Sequence, residues 1–497
     1  MQVRALGLVL GLEIAVAPDV ALVLQRLGPP LLMRLCAATG GRVVVVAWVG
    51  GVGPLVAAGP GESAGGCFGV AFAGVTPTLV WTLMNLRTGM AAGVLSTLNG
   101  QAPFGADVIS RISHGMNGPD SVLELQAAVL ATMNGILSDL YAQTGVSRDR
   151  TYEAVVVGNA TMLHLLFGID PSPLAVMPFT PAFMEPMLVV AAEVGLEIHP
   201  NGYIQTLPAL GAYVGADIVA GVLATSVVRE DKLRVFVDVG TNGEIVLGSA
   251  QRALATAAPA GPAFEGSQIR CGMRATEGAI EGVTLGDTVE LQVIGGDVPA
   301  LGICGSGLVD AVAQLLHVGL LDHSGRMKAA TDVPGHPLGG RLIEIDGVRA
   351  FLLAEGVFLS QRDVRELQFA KGSIATGIKV LMDILGVEAK DLEEVLLGGS
   401  FGSYLNPESA RIIGLVPDVD VDKIIAVGNS AGEGAKIALL SYRERQVAFE
   451  LPSRIEYTDL VGGRHFNDPY PAVLGFRSPS ADRLRTLHPP SCAMWFP

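Results

Sequence analysis

The sequence predicts a duplicated α/β fold, on the evidence of an internal repeat, a strand-and-turn motif and a glycine-rich composition. Half of the 497 residues are apolar, 63 are glycine and 16% are charged, which is typical of a compact α/β protein with a large core. The formal net charge of −15 argues against a nucleic-acid partner, because a phosphate backbone is bound through basic patches.

Two segments of the chain, 124–159 and 366–399, follow the same plan. Each begins with ELQ, continues with helical periodicity, passes a GV corner with charged residues, and ends as an apolar strand. A repeat of this length indicates one helix-and-strand unit used twice. The second copy places five apolar residues on one helical face: Leu367, Ala370, Ile374, Ile378 and Leu381.

The motif VFVDVGTNGEIVLG reads as a buried strand that ends at Asp238. A carboxylate in that position needs a cation or hydrogen-bond donors. Gly240 and Gly243 allow a tight turn whose amides can face an anion, and Thr241 and Asn242 add side-chain donors. The motif therefore suits a nucleotide phosphate with Mg²⁺ held by Asp238. A plain β-hairpin with a solvated aspartate is the alternative.

The first half carries a counterpart, FGVAFAGVTPTLV, in which Ala73 stands where the second half has Asp238. The second half is about 75 residues longer between this motif and the repeated strand, which predicts an inserted element. Two α/β halves with facing phosphate turns describe the superfold of actin, hexokinase and Hsp70. We therefore expect Asp238 and Gly398 to line one cleft.

The motif EVLLGGSFGSYLN predicts a strand that runs into Gly398 and Gly399, followed by Ser400 and Phe401. Glycine at these positions lets the backbone approach a flat ring, as in the adenosine loop of this superfold. A tight corner between a strand and a helix is the alternative interpretation.

Three further candidates lie between these motifs. GPAFEG pairs Gly261 with Glu265, which is either a catalytic group near magnesium and an attacking water or a solvated loop residue. Arg274 can pair with a phosphate or with a carboxylate elsewhere in the protein.

Another candidate is the motif GICGSGLVDAVAQLL, which starts an apolar helix with Gly305, Ser306 and Gly307. Free amides at a helix start favour an anion. Cys304 beside them is interpreted as a small core residue, because no histidine lies nearby in sequence to activate it.

The five cysteines are dispersed, without a C-x-x-C pair. This spacing predicts reduced thiols in a cytosolic protein and no iron–sulfur cluster in the chain. The histidines show no metal-ligand spacing, and His164 reads as a core residue. The uncharged stretch 63–86 is rich in glycine and threonine, so it predicts two buried strands and not a membrane span.

The series VFVDVGTNGEIVLG, GPAFEGSQIRCGMRATEGAIE, GICGSGLVDAV, SQRDVRELQFAKGSI, EVLLGGSFGSYLN and AVGNSAGEGA resembles the ATP-dependent reductive activators of corrinoid proteins. The resemblance covers about residues 67–476. It implies an actin-like (ribonuclease H-like) ATPase fold, ATP with Mg²⁺, and a corrinoid protein whose Co(II) is reduced to Co(I) with an electron from an iron–sulfur protein. It also allows a homodimer, and it implies neither nucleic acid nor membrane as a partner.

Two departures from that family modify the expectation. The family usually carries an amino-terminal [2Fe–2S] domain, whereas residues 1–66 are short and contain only Cys36, so a separate ferredoxin-type reductant is expected. The first phosphate loop lacks the family's acid at Ala73, and Pro77 removes an amide donor. We expect this change to affect hydrolysis more than binding.

The predicted organisation is a linker remnant (1–66), a first actin-like subdomain (67–230), a second with an insertion (231–476) and a tail (477–497). Two other functions are compatible with the superfold. A small-molecule kinase would use Asp107 in GADVISR as its acid or base, although Asp107 also reads as a helix N-cap. A nucleotide-sensing scaffold without turnover would tolerate the altered first loop.

Overall fold

The computed structural model describes residues 43–47, 55–60, 66–74, 76, 78–402, 404–460 and 470–477. Contacts divide the chain into two compact units. The first comprises the chain up to Ser226 together with Ser430–Glu456, and the second comprises Val227–Asn429 and the chain from Tyr457.

Helices occur in both units. They are α1 (Val108–Gly115), α2 (Pro119–Thr144), α3 (Ala160–Leu166), α4 (Ala191–Val194), α5 (Ala216–Thr225), α6 (Gly305–His317), α7 (Gln361–Leu385), α8 (Gly399–Gly402), α9 (Pro407–Ile413), α10 (Ser430–Leu440), α11 (Tyr442–Arg454) and α12 (Tyr470–Leu474).

Strands alternate with these helices. They are β1 (Val43–Ala47), β2 (Leu55–Pro60), β3 (Phe68–Gly74), β4 (Thr78–Asn85), β5 (Ala91–Leu98), β6 (Thr151–Gly158), β7 (Leu188–Val190), β8 (Tyr203–Thr206), β9 (Arg234–Val239), β10 (Asn242–Gly248), β11 (Ala253–Pro259), β12 (Ala279–Leu285), β13 (Val289–Val293), β14 (Gly302–Ile303), β15 (Leu342–Ile345), β16 (Val348–Ala354), β17 (Val357–Ser360), β18 (Glu394–Gly398), β19 (Ile424–Gly428) and β20 (Ile455–Tyr457).

The first unit is built on a six-stranded sheet in the order β5-β4-β3-β6-β8-β7. β3, β4 and β5 form an antiparallel meander, and β6 adds to β3 in parallel. The uncharged stretch around residues 68–85 thus forms two strands, as the sequence predicted. β1 and β2 pair with each other as a separate hairpin.

The second unit repeats this topology in a sheet ordered β19-β18-β9-β10-β11-β20. β9, β10 and β11 form the antiparallel meander, and β18 adds to β9 in parallel. The predicted duplicated actin-like fold is confirmed by this shared arrangement.

The internal repeat has a local physical cause at its GV corner. α2 stops at Gly145 and α7 stops at Gly386, with φ of 69° and 70°. Glycine adopts this left-handed helix cap without a steric penalty. Each helix is then followed by a short 3₁₀ turn, Arg148–Arg150 or Ala389–Asp391, and by a strand of the sheet. The five α7 residues predicted to share one face are all buried.

The extra length of the second unit lies between β11 and α7, where the sequence predicted an insertion. Two small sheets occupy this region, ordered β13-β12-β14 and β15-β16-β17. α6 packs on β12, and α7 contacts β16 and β17, so the insertion shares the unit's hydrophobic core.

The segment Ser430–Glu456 differs from the predicted boundaries, because the sequence placed it in the second subdomain and the structure places it in the first unit. α10 packs on α5, β3 and β6. Gly434 allows the close approach, since any Cβ there would overlap the carbonyl oxygen of Ala220. On α11, Arg445 is buried and forms a 2.6 Å ion pair with Glu153.

Among the described residues, one helix, α2, is long and apolar enough to span a membrane by length and composition. One of its faces is buried through Leu125, Met133, Leu137 and Leu140. Core helices of soluble proteins meet the same criterion.

The chain segment around α12 is held by two side chains of α7. Lys371 Nζ donates to the carbonyls of Val473 and Gly475, both at 2.5 Å, and Gln368 donates to Leu474 at 2.9 Å. These carbonyls end a helix and need donors. Burial, with nearby Arg477, lowers the pKa of Lys371 to about 7, because both disfavour the charged ammonium. The two carbonyl acceptors stabilise that charged form.

We predict that Lys371→Met destabilises the second unit by roughly 1–3 kcal/mol, because the carbonyls of Val473 and Gly475 lose a donor that is itself buried. Chemical denaturation followed by circular dichroism measures this loss. Lys379→Met is the matched control, since Lys379 lies on the same helix but is half exposed and pairs with Asp383. Equal stability of the two variants would contradict the role assigned to Lys371.

Candidate functional site

The carboxyl end of β9 meets the corner after β18 in the second unit. The parallel register places Asp238 opposite Gly398, so the two predicted neighbours are brought together. Gly399 has a φ of 90°. A Cβ on it would overlap Oδ1 of Asp238 and lie 2.9 Å from the carbonyl oxygen of Val239. Only glycine allows this approach of a backbone to a carboxylate.

The turn between β9 and β10 is tied to the Pro262–Glu265 turn. The hydroxyl of Thr241 hydrogen-bonds the Glu265 carboxylate, and the Thr241 carbonyl accepts from the Gly261 amide at 2.8 Å. Glu265 is half-buried, and its carboxylate accepts this hydrogen bond. The motif VFVDVGTNGEIVLG forms a β-hairpin, and Asp238 lies near the end of its first strand. The hairpin and the strand-end acid are therefore both present.

Turn geometry was the expected role of the two glycines in this hairpin, but it does not account for them. Neither Gly240 nor Gly243 has a positive φ. At Gly243 a Cβ would overlap the side chain of Ile374 on α7, so its role is packing. Asn242 is half-buried at the start of β10, and its carbonyl accepts from the Gly240 amide at 3.1 Å.

The remaining predicted residues of the second unit lie in two further places. Arg274 is exposed, and its guanidinium has no hydrogen bond to another residue in the described part of the chain. Gly305, Ser306 and Gly307 are buried at the start of α6, which contacts the Pro262–Glu265 turn. At Gly307 a Cβ would overlap the Ile280 carbonyl oxygen, so this glycine lets α6 pack on β12.

Cys304 caps the start of α6 and is buried, as the sequence predicted. Its thiol donates to the Ile280 carbonyl at 3.3 Å and lies 3.3 Å from the Ser306 hydroxyl. For Ser400 and Phe401, only the backbone is described, as part of α8.

In the first unit, the register corrects the sequence alignment by one residue. Gly74 pairs with Gly158 as Asp238 pairs with Gly398. The position equivalent to Asp238 is thus Gly74, and Ala73 lies one residue earlier. Val75 and Pro77 lie outside the described residues.

A buried cation holds the turn after Gly74, and sequence reasoning missed it. Arg111 is fully buried and donates to the Thr76 carbonyl at 2.8 Å, to Gly105 and to Gln101. Burial lowers the pKa of Arg111 to about 10, and Asp107 opposes the shift. The guanidinium therefore stays charged at neutral pH, with neutral hydrogen-bond acceptors around it. Arg111 is the last residue of the motif GADVISR, which was the sequence signal that could have identified it.

Asp107 serves as the N-cap of α1. Its carboxylate accepts from the Ser110 amide at 2.8 Å, and the Asp107 amide donates to the Ser110 hydroxyl at 3.1 Å. This geometry supports the cap interpretation over a kinase acid or base.

Asp217, on the first turn of α5, is a second residue that sequence reasoning missed. It lies beside the end of β6, since a Cβ on Gly215 would lie 2.7 Å from its Oδ1 and 2.8 Å from the Gly158 carbonyl oxygen. Burial raises the pKa of Asp217 to about 6, against the amides of Ile218 and of Asp217 itself. An acid two residues after the glycine that caps the start of a helix was the sequence signal.

His164 is a neutral core residue, as predicted. Its Nδ1 lies 2.7 Å from the Ala160 carbonyl and its Nε2 accepts from the Ala182 amide at 2.9 Å, while burial lowers its pKa. In the described part of the chain, no three His, Cys, Asp or Glu residues are grouped to hold a metal.

The fold and the strand-end site define an actin-like protein of the ASKHA class. A family model described as the C-terminal, ASKHA domain of RACo matches residues 232–488, and one described as the RACo middle region matches 68–230. The chain therefore belongs to the reductive activators of corrinoid proteins, which confirms the family predicted from its motifs.

Its relatives carry related names. The chain is 33% identical to the corrinoid activation enzyme RamQ of Eubacterium limosum over 81% of this chain and 69% of that protein. It is 28% identical to the methylated amine-specific corrinoid protein reductase of Methanosarcina barkeri over 54% and 51% of the two chains. A solved reductive activator for a corrinoid, iron–sulfur protein has 35% identity and a TM-score of 0.80, over 90% and 72% of the two chains.

Asp310 on α6 carries the pH dependence that we predict for the second unit. Burial raises the pKa of its carboxyl to about 6, against hydrogen bonds from Ser409 and the Val283 amide. One carboxyl oxygen is buried without a hydrogen-bond partner among the described residues.

We predict that Asp310→Asn stabilises the protein at pH 7.5 by about 1–3 kcal/mol, because the folded state no longer holds a disfavoured charge. The pKa is raised on folding, so the native carboxyl contributes stability near pH 4 that is lost as pH rises through 6. The gain should vanish near pH 4. Urea unfolding from pH 4 to 8 tests this, with exposed Asp287→Asn as the control. A gain independent of pH would contradict the assignment.

Proposed function

We propose that this chain binds ATP with Mg²⁺ in its second unit and couples the nucleotide state to the reductive activation of a corrinoid protein. The observation that carries the proposal is the contact between Asp238 and Gly399, where a partly buried carboxylate lies against a glycine corner. A carboxylate at a strand end suits a hard divalent cation, and its donor chemistry fits magnesium.

The neighbouring residues suit the remaining parts of a nucleotide. We assign the Gly240 to Gly243 turn, with Thr241 and Asn242, to the phosphates, and the corner at Gly398–Phe401 to the adenosine. Glu265 holds the Thr241 hydroxyl, so it would orient that group or a water near the phosphate.

Three further parts of the chain complete the proposed site. Gly261 joins the hairpin turn through its amide. Arg274 is exposed and free to reach a phosphate. Gly305–Gly307 starts a helix whose dipole favours an anion.

The proposed reaction is the transfer of one electron to Co(II), which gives Co(I) in a bound corrinoid protein. We propose that a separate ferredoxin-type iron–sulfur protein in the cytosol supplies this electron, because the five cysteines of this chain are dispersed in sequence. ATP would then act by changing the conformation of the complex.

A nucleotide sensor without turnover is the second candidate function. It is favoured by the first unit, where the strand end carries Ala73 and Gly74 and no acid. Phosphate release in the presence of a corrinoid protein separates the two functions, because only the activator turns ATP over.

We predict that Asp238→Asn weakens magnesium-dependent ATP binding by about 1–3 kcal/mol, because an amide offers no charge to the cation. Titration calorimetry with and without Mg²⁺ measures the change. Asp231→Asn is the control, since Asp231 is exposed in the same unit. Equal magnesium-ATP affinity of Asp238→Asn and wild type, with folding intact, would leave a purely structural hairpin.

We predict that Gly399→Ala abolishes ATP binding, because its Cβ would push against the Asp238 carboxylate. Gly386→Ala is the matched control. It also has a left-handed φ, of 70°, but a Cβ there meets nothing within 4 Å. Equal loss of binding in both variants would point to backbone strain and not to the site.

The activation itself is tested with a purified Co(II) corrinoid protein, a reduced ferredoxin and ATP. We expect the visible spectrum of Co(I) to appear only with ATP and this chain present, and to be lost with Asp238→Asn. Spectral change without ATP would contradict the coupling.

A further inference from the structure

A cavity of about 410 Å³ lies in the second unit, between α7 and the segments 414–418 and 473–477. Its size is in the range of pockets that bind small molecules. Its charged lining residues are Lys371, Lys379, Asp418 and Arg477, so cations outnumber anions in its wall. None of these residues belongs to the nucleotide site proposed above.

Two of the cations converge on one point of the cavity, beside Gly414. A Cβ on Gly414 would lie 3.7 Å from Nζ of Lys371 and 3.7 Å from Nε of Arg477. Like charges held this close destabilise each other, and an anion between them favours both charged forms. The point beside Gly414 is therefore suited to an anionic group.

Both cations also retain donors that the protein does not use. The Lys371 ammonium has three N–H groups, and two of them donate to backbone carbonyls. The guanidinium of Arg477 donates to two other carbonyls through its terminal nitrogens. Among the described residues, nothing accepts the third N–H of Lys371 or the Nε–H of Arg477. These two donors remain for a ligand.

The carboxylates of the described residues leave this pair of charges largely uncompensated. Lys371 is buried, and its two acceptors are neutral. The side chain of Asp418 lies 3.7 Å from Arg477, but it is 57% exposed and also pairs with Arg411 at 3.3 Å. The lowered pKa of Lys371, about 7, is what an ammonium without a carboxylate partner is expected to have.

The rest of the cavity wall is mainly apolar. It includes Ile378 and Met382 of α7, together with Pro417 and Phe476. The Phe476 ring centre lies 5.3 Å from Nζ of Lys371, so the apolar wall begins directly beside the cations. Such a wall binds an apolar group, because the contact removes nonpolar surface from water.

We propose that this cavity binds a small organic acid, with its anionic group between Lys371 and Arg477 and its apolar body along α7. The anionic group accepts the two unused donors beside Gly414. The apolar body contacts Ile378 and Met382. This binding site goes beyond the proposed nucleotide and corrinoid function and does not depend on it.

Equilibrium dialysis of the full chain against radiolabelled octanoate tests the site. Octanoate combines a carboxylate with an apolar chain, whereas acetate lacks the chain and octanol lacks the charge. We expect octanoate to bind saturably, and acetate and octanol to bind at least about tenfold more weakly. Saturating magnesium-ATP should not displace octanoate, which keeps this result distinct from the proposed function.

Gly414→Ala locates the binding. It places a methyl group at the point between the two cations, so we expect octanoate binding to be lost. Gly145→Ala is the matched control. Gly414 and Gly145 both end a helix, with φ of 74° and 69°, but a Cβ on Gly145 meets nothing within 4 Å.

Arg477→Gln tests the charge and decides the question if Gly414→Ala does not fold. It should weaken octanoate binding about tenfold or more and leave octanol binding unchanged. Lys390→Gln is the control, since Lys390 is 74% exposed in the same unit, and it should change neither. Absence of octanoate binding by the wild type, equal binding of octanoate and octanol, full binding by Gly414→Ala, or displacement by magnesium-ATP would overturn the proposal.

Discussion

The parallel pairing of β9 with β18 is the constraint on which the candidate site depends. It fixes Asp238 opposite Gly398 and leaves the next residue no room for a side chain. A carboxylate held against backbone at a strand end has lost part of its hydration, which donors or a cation must replace. The pairing of β9 with β18 sets the position of the β9–β10 hairpin. The hydrogen bonds of Thr241 with Glu265 and Gly261 then join the hairpin turn to the turn that follows β11.

The two halves of the duplication keep one topology and differ in their chemistry. Where the second unit has Asp238, the first has Gly74, and a buried guanidinium holds the turn that follows. The second unit thus has a carboxylate at the strand end, whereas the first unit has a cation from α1 bound to the residue that follows. A shared scaffold tolerates this divergence because the sheet is stabilised by its apolar strands and helices, and the turns lie at its rim.

Sequence reasoning succeeded where the signal is local. The GV corner predicted the helix end, because a left-handed cap demands glycine, and periodicity predicted the buried face of α7. It failed where the partner is distant along the chain. The interactions of Arg111 with Thr76, and of Asp217 with the end of β6, exist only after folding. The one-residue error at Ala73 has the same origin, because strand register depends on the neighbouring strand and not on the order of loop residues.

The return of Ser430–Glu456 to the first unit has a consequence for synthesis on the ribosome. The face of β3 and β6 that α10 covers cannot be completed until the whole of Val227–Asn429 has been translated. At about 5–20 residues per second this delay is on the order of 10–40 s. During that interval the nascent first unit exposes apolar sheet surface, which makes it a natural client for chaperones that bind such surface during translation.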